Sequence, residues 1–412
     1  MLVRFNRVAM TVLVSGIVFN ALLRYVSSAA WLYVLAGVVF GVNVLAAVSH
    51  PRLRAGMLPM LPFFAAGLVS VMIAVAFVDW RIAVAGFVGA YAYVAVWLLC
   101  LAREHDHWSA IRQYARLHMW LGAATAVIAI FQYFWSPDLL GIMPPRPYTS
   151  ADLIAQGFTK RATGLIGSPQ NLGIYMAIAG VCVALAARTR TARLLLWLPI
   201  VVAGGVSGSA AFVFATLMAL SAYGCLVAKR SFLRAAALLL LCAIGISGVW
   251  TAQGVGPGLE NLPLVGGLYV GNPLEDRLPY YTDLLVTGSP RELLFGHGLG
   301  TASRVSEVLL GDEPVPDIWK PSESHFATIF YEMGLVGFVG FCFIALTALW
   351  RCLSTKGTTP IATFVILVML FSNIAITPSF SGLTLSAVAW PFILLPVLAY
   401  PCRGDAVGAR SR

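Results

Sequence analysis

Seven positions separate His325 from Glu332 in a run that is otherwise apolar. Seven residues are close to two helical turns, so the two side chains share one face of a helix. An imidazole titrates near neutral pH and can take a proton from a sugar hydroxyl. His325 stands where a long polar segment re-enters an apolar run, beside Ser322 and Ser324. It is a candidate general base, and the plain alternative is a helix-capping or interfacial histidine. Glu332 can orient His325, or hold the fold by a hydrogen bond to a neighbouring helix. Of the two, the structural role is preferred.

Cations supply the second kind of chemistry. Guanidinium groups stay charged and grip phosphate oxygens bidentately. Lys160 and Arg161 stand just before Gly164, Gly167 and Ser168-Pro169-Gln170-Asn171, a polar run that opens an apolar helix. Backbone amides at a helix start also point at anions. Arg161, with Lys160 as a weaker partner, and Arg277 are therefore candidates for holding a diphosphate. The alternative is pairing with nearby acids or lipid phosphates. Arg24, Arg81, Arg291 and Arg304 are read as interfacial. His297, inside Gly296-His297-Gly298-Leu299-Gly300, is read first as part of a tight turn. Glu104-His105-Asp106-His107 has a metal-like composition but reads as solvated surface, and His50 and His118 fall with it on the inner side. Asp312, Glu313, Asp317 and Glu323 match no metal-binding spacing. No Walker motif, CxxC or GxSxG elbow is present.

The elements that position these residues are read from composition. Of the 412 residues, 59% are hydrophobic and 11% charged, with mean hydropathy +0.85. Soluble domains carry roughly 25% charged residues, so the chain is expected to be an all-α integral membrane protein. About twelve transmembrane helices are predicted, near 8–23, 29–48, 57–77, 82–101, 117–135, 172–187, 194–206, 210–227, 232–250, 326–350, 361–376 and 382–400. Residues 1–250 then hold helices one to nine with an outer loop at 136–171. Residues 251–325 form one long periplasmic loop with short helices near 275–285 and 302–310. Residues 326–412 hold the last three helices and a cytoplasmic tail.

Charge placement sets the orientation. With the N-terminus inside, the inner connections carry 18 of the 27 lysines and arginines, and the outer side carries 13 of the 17 acids. This is the positive-inside pattern. The net charge of +10 thus reports orientation, and no nucleic-acid partner is expected. The seven cysteines lie in spans or on the inner side, so no structural disulfide is expected.

Three stretches together resemble the O-antigen ligase and polymerase superfamily. Arg161-Ala162-Thr163-Gly164 with Ser168-Pro169-Gln170-Asn171 resembles its first outer-loop motif. Arg277 followed by Gly296-His297-Gly298-Leu299-Gly300 resembles its arginine and glycine motif. His325 followed by Glu332-Met333-Gly334-Leu335-Val336-Gly337 resembles its histidine motif. Two departures stand out. Phe326 occupies a position often held by a small polar residue, and Ser207-Gly208-Ser209 lacks an arginine often seen there.

The resemblance implies a multi-pass protein of the bacterial inner membrane with both termini cytoplasmic and its site facing the periplasm. It implies an O-antigen ligase, which moves a polysaccharide from undecaprenyl diphosphate to a sugar hydroxyl of the lipid A core. The transfer would be inverting and metal-independent, without a cofactor. His325 would be the base, Arg161 and Arg277 the diphosphate clamps, Lys160 a further contact and Glu332 a support. Membrane lipids would surround the bundle. An O-antigen polymerase shares donor and chemistry, a protein-targeting oligosaccharyltransferase differs in acceptor, and a polysaccharide flippase or transporter is the non-enzymatic alternative.

Overall fold

The computed structural model describes residues 2–19, 30–49, 55–135, 162–166, 168–227, 285, 288–302, 325–374 and 383–399. Among these residues every regular element is helical. In chain order they are α1 (Leu2–Val18), α2 (Ala30–Ser49), a 3-10 turn (Ala55–Met60) leading into α3 (Leu61–Phe77), and α4 (Trp80–Gly86). A π-helical turn (Phe87–Tyr91) then joins α4 to α5 (Ala92–Leu101). After these come α6 (His107–Phe134), α7 (Pro169–Ala186), α8 (Arg190–Val206), α9 (Ala210–Val227) and the short α10 (Pro290–Phe295). The set closes with α11 (His325–Ser354), α12 (Thr358–Ile374) and α13 (Leu383–Leu398).

Among the described residues, four helical stretches are long and apolar enough to cross a membrane: Met57–Phe77, His107–Phe134, Pro169–Ala186 and His325–Ser354. The expected runs at 232–250, 136–161, 251–284 and 303–324 lie outside the described residues. Local chemistry fixes several helix starts. The Asp79 carboxylate caps α4 through the Arg81 N–H at 2.7 Å. Asp106 caps α6 through the Ser109 N–H at 2.9 Å, and Thr189 caps α8 through the Ala192 N–H at 3.1 Å. Each cap satisfies an amide that the first helical turn leaves without a partner.

Three sequence expectations change. The Asp106 cap starts α6 ten residues before the predicted 117. The run 82–101 is apolar throughout, yet its backbone widens into the π turn at Phe87–Tyr91. The tenth predicted span is broken at Gly334, whose φ of 64° and ψ of −165° are not helical.

Short connections make the chain alternate between two ends of the bundle. Residues 78–79 join α3 to α4, and 207–209 join α8 to α9, at one end. Residues 102–106, 187–189 and 355–357 join α5 to α6, α7 to α8 and α11 to α12 at the other. Arg103, Arg188, Arg190, Arg193, Arg351 and Lys356 all stand at this second end.

Helix faces follow the membrane pattern. Leu68, Met72, Leu194, Leu195, Leu346 and Trp350 are exposed, where a lipid-facing surface stays apolar. Inside, α6 packs on α7 and α8, and α11 packs on α3. Close approach of α6 and α7 relies on Gly122, where an added methyl would overlap Ala179. Polar pairs fix specific neighbours. Asn6 in α1 and Asn43 in α2 exchange reciprocal amide hydrogen bonds at 3.0 and 2.9 Å. Burial of amides without such pairing is costly, so they specify one helix register.

Candidate functional site

The break in α11 organises the candidate site. Where a helix stops, the carbonyls of its last turn lose their intrahelical donors. The carbonyls of Tyr331 and Glu332, just before Gly334, are instead met by the glycine motif. The His297 N–H donates to the Tyr331 carbonyl at 2.9 Å, and the Gly298 N–H to the Glu332 carbonyl at 3.1 Å. Ser70 of α3 adds its hydroxyl to the Glu332 carbonyl at 2.6 Å. The Leu299 N–H donates to the Ser70 carbonyl at 3.2 Å. Residues 296–302 thus form a loop wedged between α3 and the break.

Glycine is required at two places in this wedge. Gly334 turns the chain at positive φ, and a side chain there would overlap the Leu294 backbone. Gly298 has φ +111°, and a Cβ would lie 2.8 Å from Ala74. Left-handed geometry is costly for residues with a Cβ, and the clash adds to that cost.

Glu332 closes the wedge. Its carboxyl, 3% exposed, accepts the Ala302 N–H at 3.2 Å and a second backbone N–H from Gly300. Of the two roles open from sequence, this is the structural one: the carboxyl holds the glycine loop. His325 lies about two turns away, on the order of 10 Å along the helix axis.

His325 is the first residue of α11 and is 2% exposed. Its ring meets Phe341 edge-on at 6.3 Å. Phe326, the departure noted in the sequence, packs on Phe338 and Phe341, both at 5.8 Å. An aromatic at this position therefore serves packing beside the histidine.

His297 is set by the same loop. Its ring stands 4.4 Å from that of Tyr331, and its Nδ1 is 3.7 Å from the Glu292 carboxylate. Burial pushes the imidazole below its ordinary value, an effect that Glu292 opposes and Arg291 adds to. Burial thus favours the neutral ring. Glu292 is held below the usual carboxylate range, first by the Ser289 backbone N–H. The reciprocal Ser289–Glu292 capping box starts α10. The Arg291 guanidinium lies over Phe77 at 4.4 Å and ties α10 to the end of α3.

Arg161, Lys160 and Arg277 lie outside the described residues. The residues that follow Arg161 are described, and they are pinned. The Ala162 N–H donates to the Val206 carbonyl at 3.0 Å. The Gln132 side-chain oxygen accepts the N–H groups of Thr163 and Gly164, each at 2.9 Å. Its amide donates to the Thr163 hydroxyl at 3.0 Å. The segment 162–166 therefore lies across the ends of α6 and α8, at the same end of the bundle as the turn between α3 and α4.

The structure corrects two readings of the α5–α6 region. Glu104 is 3% exposed rather than solvated, and it forms a bidentate pair with Arg7, at 2.9 and 2.6 Å. His118 is fully buried inside α6, with Nδ1 3.2 Å from the Tyr175 hydroxyl and its ring 4.5 Å from Tyr114. Like Glu332, His118 is thus a titratable side chain buried well inside an apolar helix. A signal for this was present. His107, Tyr114, His118, Thr125 and Gln132 recur at spacings of seven, four, seven and seven, one face of a single helix.

Compared with known proteins, the chain matches no protein-family model, no curated protein and no solved structure.

Proposed function

We propose that the chain is a membrane glycosyltransferase of the O-antigen ligase kind, moving a glycan from undecaprenyl diphosphate to a sugar hydroxyl of lipid A core. The observation that carries this reading is the bond between Gly298 and Glu332. It joins the glycine stretch and the histidine stretch, two of the three stretches on which the sequence resemblance rests. The remainder of the first stretch, 162–166, lies at the same end of the bundle. Among the described residues most lysines and arginines stand at the opposite end, and by the positive-inside rule this supports a reading in which the described parts of the three stretches face the periplasm of a bacterial inner membrane.

In this reading His325 takes the proton of the acceptor hydroxyl. The acceptor oxygen attacks the anomeric carbon as the bond from that carbon to the diphosphate oxygen breaks. Undecaprenyl diphosphate leaves with the electron pair, and Arg161, Arg277 and Lys160 compensate its charge. The aromatic surroundings of His325 exclude bulk water, which limits hydrolysis of the donor. Because the ring is 2% exposed, substrate binding has to uncover it.

The test is transfer by the purified full-length protein with undecaprenyl-diphosphate glycan and lipid A core. His325→Gln keeps the bulk of the side chain and should lower transfer by about a hundredfold or more while donor binding persists. Equal transfer by both proteins would remove His325 as the base. Product only with a second lipid-linked glycan as acceptor would make the protein a polymerase. Donor movement across vesicles without any transfer would make it a flippase.

A further inference from the structure

We propose that Glu332 is a positioning residue for the helical segment that begins at His325, acting through the glycine loop. The inference rests on the reading of His325 as the base, but its structural half stands apart from that reading.

The chain of the segment from His325 to Met333 enters the rest of α11 at the non-helical Gly334, and the segment packs back on it through His325, Phe326 and Phe330 against Phe338 and Phe341. A broken helix can pivot at such a point unless something holds the end near the break. At the break itself the holding groups are backbone amides of one loop, with the Ser70 hydroxyl beside them. The N–H groups of His297 and Gly298 bind the Tyr331 and Glu332 carbonyls. Those of Gly300 and Ala302 bind the Glu332 carboxyl. The Thr301 hydroxyl closes the loop on itself through the Gly298 carbonyl at 2.7 Å. One residue, Glu332, therefore receives the loop at both ends: its main chain holds the first half and its side chain the second.

Leverage makes this matter at His325. Nine residues of helix span about 13 Å, so a tilt of roughly 10° at Gly334 moves His325 by about 2 Å. Misplacement by about 1 Å can cost on the order of a hundredfold in rate. A carboxyl accepts two amide protons. A glutamine in its place has one accepting oxygen and an NH2 group that faces a second donor. Glu332→Gln therefore releases one side of the loop with almost no change of shape.

The experiment uses the full chain in nanodiscs. Backbone hydrogen exchange is read over 296–302 and 325–333, with 169–186 as an internal reference. Transfer kinetics are measured in parallel. Glu332→Gln should speed exchange in both segments by about tenfold and leave the reference unchanged. It should lower kcat by about tenfold or more at unchanged donor KM. Unchanged exchange at 325–333 overturns the proposal, as does a wild-type kcat alongside faster exchange. Should Glu332→Gln fail to fold, Ser70→Ala removes a single bond to the same Glu332 carbonyl. It should then speed exchange at 325–333 by a few fold, and unchanged protection overturns the proposal. Absence of transfer by the wild type would count against the base reading alone, and the exchange measurement still decides whether Glu332 holds the segment.

Discussion

At the scale of single residues, neighbours decide what the sequence leaves open. His297 and Glu332 carry similar promise as letters, but the structure gives both of them backbone to hold or to lean on. His297 also gives the protein an acid sensitivity with a definite sign. Its folded value is below the ordinary 6.5, so below about pH 6.5 the unfolded chain binds the proton more readily and stability falls. Glu292 acts in the same direction lower down: its folded value is depressed, and its contribution is lost as pH falls through that value. His297→Phe keeps the ring against Tyr331 and removes the titration. Thermal unfolding of the variant should vary less between pH 7 and pH 5 than that of the wild type. An equal slope in both proteins would show that His297 does not carry the acid loss. The candidate base was legible because a histidine at the lip of an apolar run is conspicuous. The burial of His118 was less so, since one buried imidazole in a long amphiphilic start looks like surface until α7 and α13 are packed against it.

Elements show why the motifs are glycine-rich. The glycine stretch is the cap of a broken helix, and a cap made of main chain needs amides brought close to carbonyls. The first stretch uses the opposite device, a side-chain amide that receives main-chain donors. Gln132 caps both the Thr163 and Gly164 amides. Replacing it by Leu leaves two buried donors without their acceptor, at a cost of about 1–3 kcal/mol for each. Gln132→Leu should lower the unfolding temperature and expose 162–166 to limited proteolysis. A cleavage pattern equal to that of the wild type would show that Val206 alone suffices to hold the segment. The existence of most helices was readable from apolar runs. The break at Gly334 was not, because Glu332-Met333-Gly334 fits a helical pattern as well as a broken one, and only the inserted loop makes the break favourable.

For the whole molecule, the bundle sorts charge by end. Reaction with a membrane-impermeant thiol reagent tests this in a background without reactive cysteines. Arg190→Cys and Lys356→Cys should label from the cytoplasmic side only, and Arg81→Cys and Arg291→Cys from the periplasmic side only. Labelling of both pairs from one side would break the proposed topology, and with it the periplasmic placement of His325. The sequence by itself determined that the chain is helical and apolar and where most helices start and stop. Those properties follow from local composition, from caps such as Asp79 and Asp106, and from the cost of placing charge in hydrocarbon. Only the tertiary structure decided which stretches meet. The union of residues 296–302 with Glu332, the pairing of Arg7 with Glu104 and the burial of His118 against Tyr175 all join residues far apart in the chain. Apolar helices are nearly interchangeable to lipid, so their pairing is set by small-residue contacts and buried hydrogen bonds whose partners no local pattern announces.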